Sequence, residues 1–229
     1  MRNLLLISLL LLVHVAIAQN SLQPGWTLGL KAYYGDNRHE VEGVLEHYHI
    51  STYQESPDNF QLGLYVKACF PSLSIRPELS YSSTSFLLRL RNLRPGQAAA
   101  NGTADSWRHR RTVEQFRELE LYFPLNRQMG NYLSVELGPV IGRRLRSGGR
   151  RQPGDEEQIV YSLRNSYRNW NFDWRAAALV EVGPVTFQMA YQANIIPMGR
   201  EVNHAGHVYQ LRQQSSQLMF GVGLQMFQL

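Results

Sequence analysis

Apolar and polar residues alternate with a period of two along most of the chain. The longest such run lies at Phe172–Ile195. Phe172, Trp174, Ala176, Ala178, Val180 and Val182 share one face of its first arm, and Asp173, Arg175, Ala177, Leu179 and Glu181 share the other. After Gly183-Pro184 the alternation resumes, with Val185, Phe187, Met189, Tyr191, Ala193 and Ile195 against Thr186, Gln188, Ala190, Gln192 and Asn194. About ten alternating residues exceed the usual strand of ~5–6 and match what a tilted strand needs to cross a bilayer core.

The same pattern predicts strands over 26–34, 60–70, 73–82, 118–123, 133–141 and 218–226. Pro71-Ser72 reads as a tight reversal. Pro77 removes a ladder donor and predicts a bulge, and the fourth strand breaks at Pro124. Polar stretches at 35–58, 89–111, 143–168 and 197–214 read as long loops. They follow the odd strands, whereas short turns follow the even ones. That alternation predicts an all-β fold, an eight-stranded antiparallel up-and-down transmembrane β-barrel with short periplasmic turns, long outside loops and periplasmic termini.

Met1-Arg-Asn and the apolar run Leu4–Val15, followed by Ala16-Ile17-Ala18, have the form of a secretory signal peptide. The expected organisation is a signal peptide over 1–18 and a barrel domain over 19–229. The single cysteine, Cys69, excludes a disulfide within one chain and a cysteine-rich zinc site.

Lys31, Lys67, Arg76, Glu78, Glu118, Glu120, Glu136, Asp173 and Arg175 all fall on the polar face of their strands, with Glu181 a further candidate. Eight strands leave a lumen that side chains can fill, so these charges are expected to pair inside it. A soluble lipocalin-like carrier would turn the apolar face inward around a ligand instead. Aromatics near strand ends, including Trp26, Tyr34, Tyr81, Tyr132 and Trp170, favour the membrane form, because such girdles sit at bilayer interfaces.

Arg76-Pro-Glu-Leu-Ser-Tyr-Ser82, the block Glu118–Leu125, Tyr132–Gly142, the Glu181-Val-Gly183 turn and Phe220-Gly-Val-Gly-Leu224 together resemble the PorT-like outer-membrane β-barrels. The resemblance covers most of the region after residue 18. It implies an integral outer-membrane protein of a Gram-negative bacterium, matured by the barrel-assembly machinery and serving envelope or secretion proteins. The chain departs from the family in ending Phe227-Gln-Leu229 rather than in an aromatic residue, and in its arginine-rich loops.

Candidate chemistry is sparse. His39, Glu40, Glu42, Glu46, His47 and His49 could ligate a metal, as could His204 and His207, but without ligand spacing in a rigid frame a solvated polar loop is the simpler reading. Serine and histidine occur without a nucleophile elbow, so no enzyme and no cofactor is expected. The arginines Arg108, Arg110, Arg111, Arg143, Arg144 and Arg146, on the outside by the loop alternation, are expected to contact lipopolysaccharide phosphates rather than nucleic acid. The leading function is a structural or accessory envelope barrel. A small pore and a soluble carrier of an apolar ligand are the alternatives.

Overall fold

The computed structural model describes residues 25–53, 59–70, 73–93, 109–149, 155–199 and 201–228. The expected signal peptide at 1–18 lies outside them. The described chain is built almost wholly of antiparallel strands: β1 (Trp26–Leu45), β2 (Tyr48–Tyr53), β3 (Asn59–Cys69), β4 (Ser74–Ile75), β5 (Glu78–Asn92), β6 (His109–Tyr122), β7 (Leu125–Gln128), β8 (Leu133–Gly149), β9 (Trp170–Val182), β10 (Val185–Asn194), β11 (Val202–His204), β12 (His207–Tyr209) and β13 (Arg212–Gln228). One helix, α1 (Asp155–Ser166), separates β8 from β9.

Eleven strands form one sheet, which closes on itself where β13 pairs with β1. From β1 the pairing runs through β3, β5, β6, β8, β9, β10 and β13 and back to β1. The strands beyond the expected eight are β2, β4 and β7. β2 pairs with β1 and β5 beyond the reach of β3. β4 and β7 pair with each other and stand next to Pro77 and Pro124, where the prolines interrupt longer runs.

Within the ring the outward face is apolar. Leu30, Phe60, Leu62, Leu64, Leu79, Leu119, Leu137, Phe172, Phe187, Met189, Phe220 and Val222 are all exposed. A contiguous apolar band of this kind is foreign to a water-facing surface. Trp26, Tyr34, Tyr81, Tyr132, Trp170 and Tyr191 are exposed with it.

Strands continue past this band, and several expected loops are corrected by them. β1 runs on to Leu45, β5 to Asn92, β8 to Gly149, and β13 starts at Arg212. Here the period of two persists but the faces exchange character. On β1 the outward residues change from Trp26, Leu28, Leu30, Ala32 and Tyr34 to Asp36, Arg38, Glu40 and Glu42. The inward ones change from Lys31 and Tyr33 to Val41 and Leu45. The upper inside is an apolar core of Val41, Leu45, Ile50, Phe86, Leu88, Leu90 and Phe116.

The expected loop at 143–168 contains α1, which completes that core. Arg164 stands in its last turn, a charge that suits the helix dipole. Ile159, Val160 and Leu163 sit on one face and are buried against the strands. The Ser166 hydroxyl donates to the Leu163 carbonyl at 2.6 Å at its end. The expected loop at 197–214 contains the β11–β12 hairpin, in which Ala205 and Gly206 adopt positive φ at the turn.

Candidate functional site: the charged interior

The interior at the level of the apolar band is polar, because the second residue of each alternating pair points there. Lys31 Nζ of β1 meets Glu78 of β5 at 2.6 Å. Arg76 meets Glu136 of β8 at 2.5 Å and donates to Gln188 of β10 at 3.2 Å. Lys67 of β3 meets Glu181 of β9 at 2.8 Å. Arg175 of β9 donates to Glu120 of β6 at 2.7 Å, to Gln192 of β10 at 2.7 Å and to Gln61 of β3 at 3.3 Å, and lies 3.6 Å from Glu78. Except for Arg175–Gln192, none of these links joins neighbouring strands. Lys67–Glu181 and Arg175–Gln61 join opposite sides of the ring, whereas Lys31–Glu78 and Arg175–Glu120 step over a single intervening strand.

Carboxylates with fewer cations are held by amides. Asp173 accepts from Gln192 at 2.8 Å and Asn194 at 2.5 Å. Glu118 accepts from Asn171 and from Arg144 Nε at 2.9 Å. Such satisfaction is what permits charge in a low-dielectric interior. The structure thus brings Lys31, Lys67, Arg76, Glu78, Glu118, Glu120, Glu136, Asp173 and Arg175 into one interior set, with Glu181 as the partner of Lys67.

Three tyrosines interleave with the cations. The Arg76 guanidinium lies 5.1 Å from the Tyr65 ring centre, and Arg175 lies 4.7 Å from Tyr122 and 5.5 Å from Tyr33. Small residues make their space. A Cβ on Gly29 would overlap the Tyr65 ring, and one on Gly221 would overlap the Tyr33 ring. Tyrosine on a polar face passes as an interfacial aromatic in the sequence, so its parity was the available signal.

Arg144 requires a correction. It does not reach outward to lipid phosphate but is buried, ion-paired with Glu118 at 2.8 Å, with its guanidinium 4.0 Å from the Phe116 ring centre. Its neighbour Arg143 is exposed, 5.6 Å from the Trp170 ring centre. Arg110, Arg111 and Arg146 lie on β6 and β8, with side chains outside the described set; Arg108 lies outside the described residues.

Above the charged tier, Glu114 of β6 is fully buried and takes a two-pronged contact from Arg164 of α1, at 2.7 and 2.8 Å. Burial raises the Glu114 carboxyl above its ordinary range, against the pull of Arg164. His39 is buried with its ring 4.5 Å from that of Phe86 and its Nε2 2.7 Å from the Asn37 amide. Burial first, and then the Arg144 charge, push its imidazole down to about 3, so it is neutral here. Glu40 and Glu42 point outward instead, and the described residues contain no cluster of His, Cys, Asp and Glu able to hold a metal.

No protein-family model and no curated protein matches the sequence. Solved structures do. Neisserial surface protein A is 12% identical over 88% of this chain and 99% of that one, with a TM-score of 0.43. Ail, the attachment invasion locus protein of Yersinia pestis, is 11% identical over 89% and 100%, with a TM-score of 0.45. The chain is also similar to the outer membrane protein OprG from Pseudomonas aeruginosa, at 11% identity over 89% and 97% and a TM-score of 0.49.

Proposed function

We propose that this protein is an integral outer-membrane β-barrel whose lumen is sealed, and that it serves the envelope as a structural or accessory element rather than as a pore. In this reading eight strands span the bilayer, with β2, β4 and β7 as interrupted continuations. The apolar band is the lipid-facing surface, and the exchange of faces along β1 marks the outer bilayer surface. An apolar exterior around a charged interior also opposes the soluble carrier, which needs its apolar face inside.

The observation that carries the proposal is Arg175. From β9 it reaches residues of β3, β5, β6 and β10, which supports a lumen filled by side chains. The apolar core under α1 supports the same reading above. The PorT-like resemblance suggests protein secretion as the process served, through contacts with other envelope proteins.

The test is electrical. Purified barrel inserted into planar bilayers should give no unitary conductance steps, whereas paired Arg175→Ala and Glu120→Ala substitutions should introduce them. Regular open steps from the unaltered protein would establish the pore instead.

A further inference from the structure

Resting on the outer-membrane reading above, we propose that the outward arginines of β5, β6 and β8 form a strip that binds the phosphates of an anionic lipid headgroup in the outer leaflet. Arg117 and Arg143 are exposed and flank Leu119, the residue that pairs with Arg143, at the upper edge of the apolar band. Arg143 also pairs with Trp170 and stands over its ring, which fixes the guanidinium at the edge of the band. Arg89 and Arg91 point outward further up β5.

The sheet register supplies a separate reason to look for an anion. It sets Arg117 directly opposite Arg146 on β8, and Arg89 directly opposite Arg111 on β6. Arginine therefore recurs at paired positions of adjacent strands, a concentration of positive charge that an anion answers. Among the described outward residues of β5, β6, β8 and β9, none is Asp or Glu. The opposite sector differs: β1 presents Asp36, Glu40 and Glu42 beside Arg38, and Glu40 lies 3.6 Å from Arg212 of β13. Among the described outward residues, the β5–β9 side of the rim is therefore basic where the β1 side is mixed.

Depth selects lipid as the partner. Arg117 and Arg143 lie beside Leu119, Tyr81 and Trp170, where headgroup phosphates meet acyl chains, and not at the far ends of the strands. The fork of a guanidinium matches phosphate oxygens in pairs, which explains arginine here in place of lysine.

The experiment compares the full chain with its Arg117→Gln/Arg143→Gln and Arg117→Lys/Arg143→Lys forms, and with Arg212→Gln as a surface control. Each is folded in detergent, checked for its heat-dependent shift on gels, and titrated with lipopolysaccharide vesicles, phosphatidylcholine vesicles and heparin. The double glutamine form should bind lipopolysaccharide about thirty-fold more weakly, from two basic residues at an anionic surface. Added salt should narrow the gap. The lysine form should fall between, and Arg212→Gln should match the unaltered protein. Unchanged lipopolysaccharide affinity in the folded glutamine form, or a loss confined to heparin, would overturn the strip while leaving the membrane barrel intact. Failure of the unaltered protein to enter phosphatidylcholine vesicles would remove the membrane reading and the strip with it.

Discussion

Arg76 shows how much the interior asks of single residues. Its guanidinium is wholly buried, bound to Glu136 and laid against Tyr65. Arg76→Ala leaves Glu136 with Asn126 as its hydrogen-bond partner among the described residues, and removing one member of a buried pair typically costs ~3–5 kcal/mol. Its urea midpoint should drop well below that of Arg212→Ala, an exposed pair whose loss is nearly neutral. Equal midpoints would mean that the interior is solvated. His39 gives a pH signature of known sign. Its folded value of about 3 lies below the ~6.5 of an unfolded imidazole, so between these limits the unfolded chain binds the extra proton. Stability should therefore fall as pH drops from about 6.5 toward 3 and be indifferent to His39 above that window. His39→Gln should flatten that slope; an unaltered slope would assign the effect to other groups. At this scale the sequence was informative, since strand parity alone selects which charges point inward. It could not choose partners, because Lys31 and Glu78 meet only across the intervening β3, and Lys67 and Glu181 only when opposite walls face each other.

Elements were legible inside the apolar band and obscure above it. The expected strand at 26–34 is the lower half of β1, and the rest of that strand falls in the expected loop at 35–58. The reason is physical: the alternation never stops, but its apolar face moves from outside to inside at Asp36. A search for one constant apolar face loses the signal at that point. Helix α1 is faint in the sequence for a related reason. Only Ile159, Val160 and Leu163 of its buried face are strongly apolar, and they are surrounded by polar residues in a short segment. Its stability comes from the core it completes. Leu163→Ala should remove buried contacts worth ~2–5 kcal/mol. Amide hydrogen exchange should quicken in α1 and the upper parts of β1, β5 and β6, with β9 and β10 unaffected in the band. Uniform acceleration around the ring would show that the two tiers unfold as one.

As a whole molecule the protein is a closed wall with two fillings, charged below and apolar above, joined where Arg144 bonds Glu118 beneath the ring of Phe116. The sequence by itself determined the antiparallel all-β class, the apolar exterior of the band, the inward direction of Lys31, Arg76, Glu78, Glu120, Glu136 and Arg175, and the strand break at Pro124. These are local properties, set by side-chain alternation and by the missing amide donor of proline. Only the tertiary structure decided which charges pair, that Arg144 turns inward while Arg143 stays outside, and that α1 closes the upper core. Each of these depends on strand register and on closure of the sheet. A register shift at Arg117/Glu118 keeps Arg144 opposite Glu118. Closure brings residues far apart in the chain, such as Arg175 and Gln61, within hydrogen-bond distance.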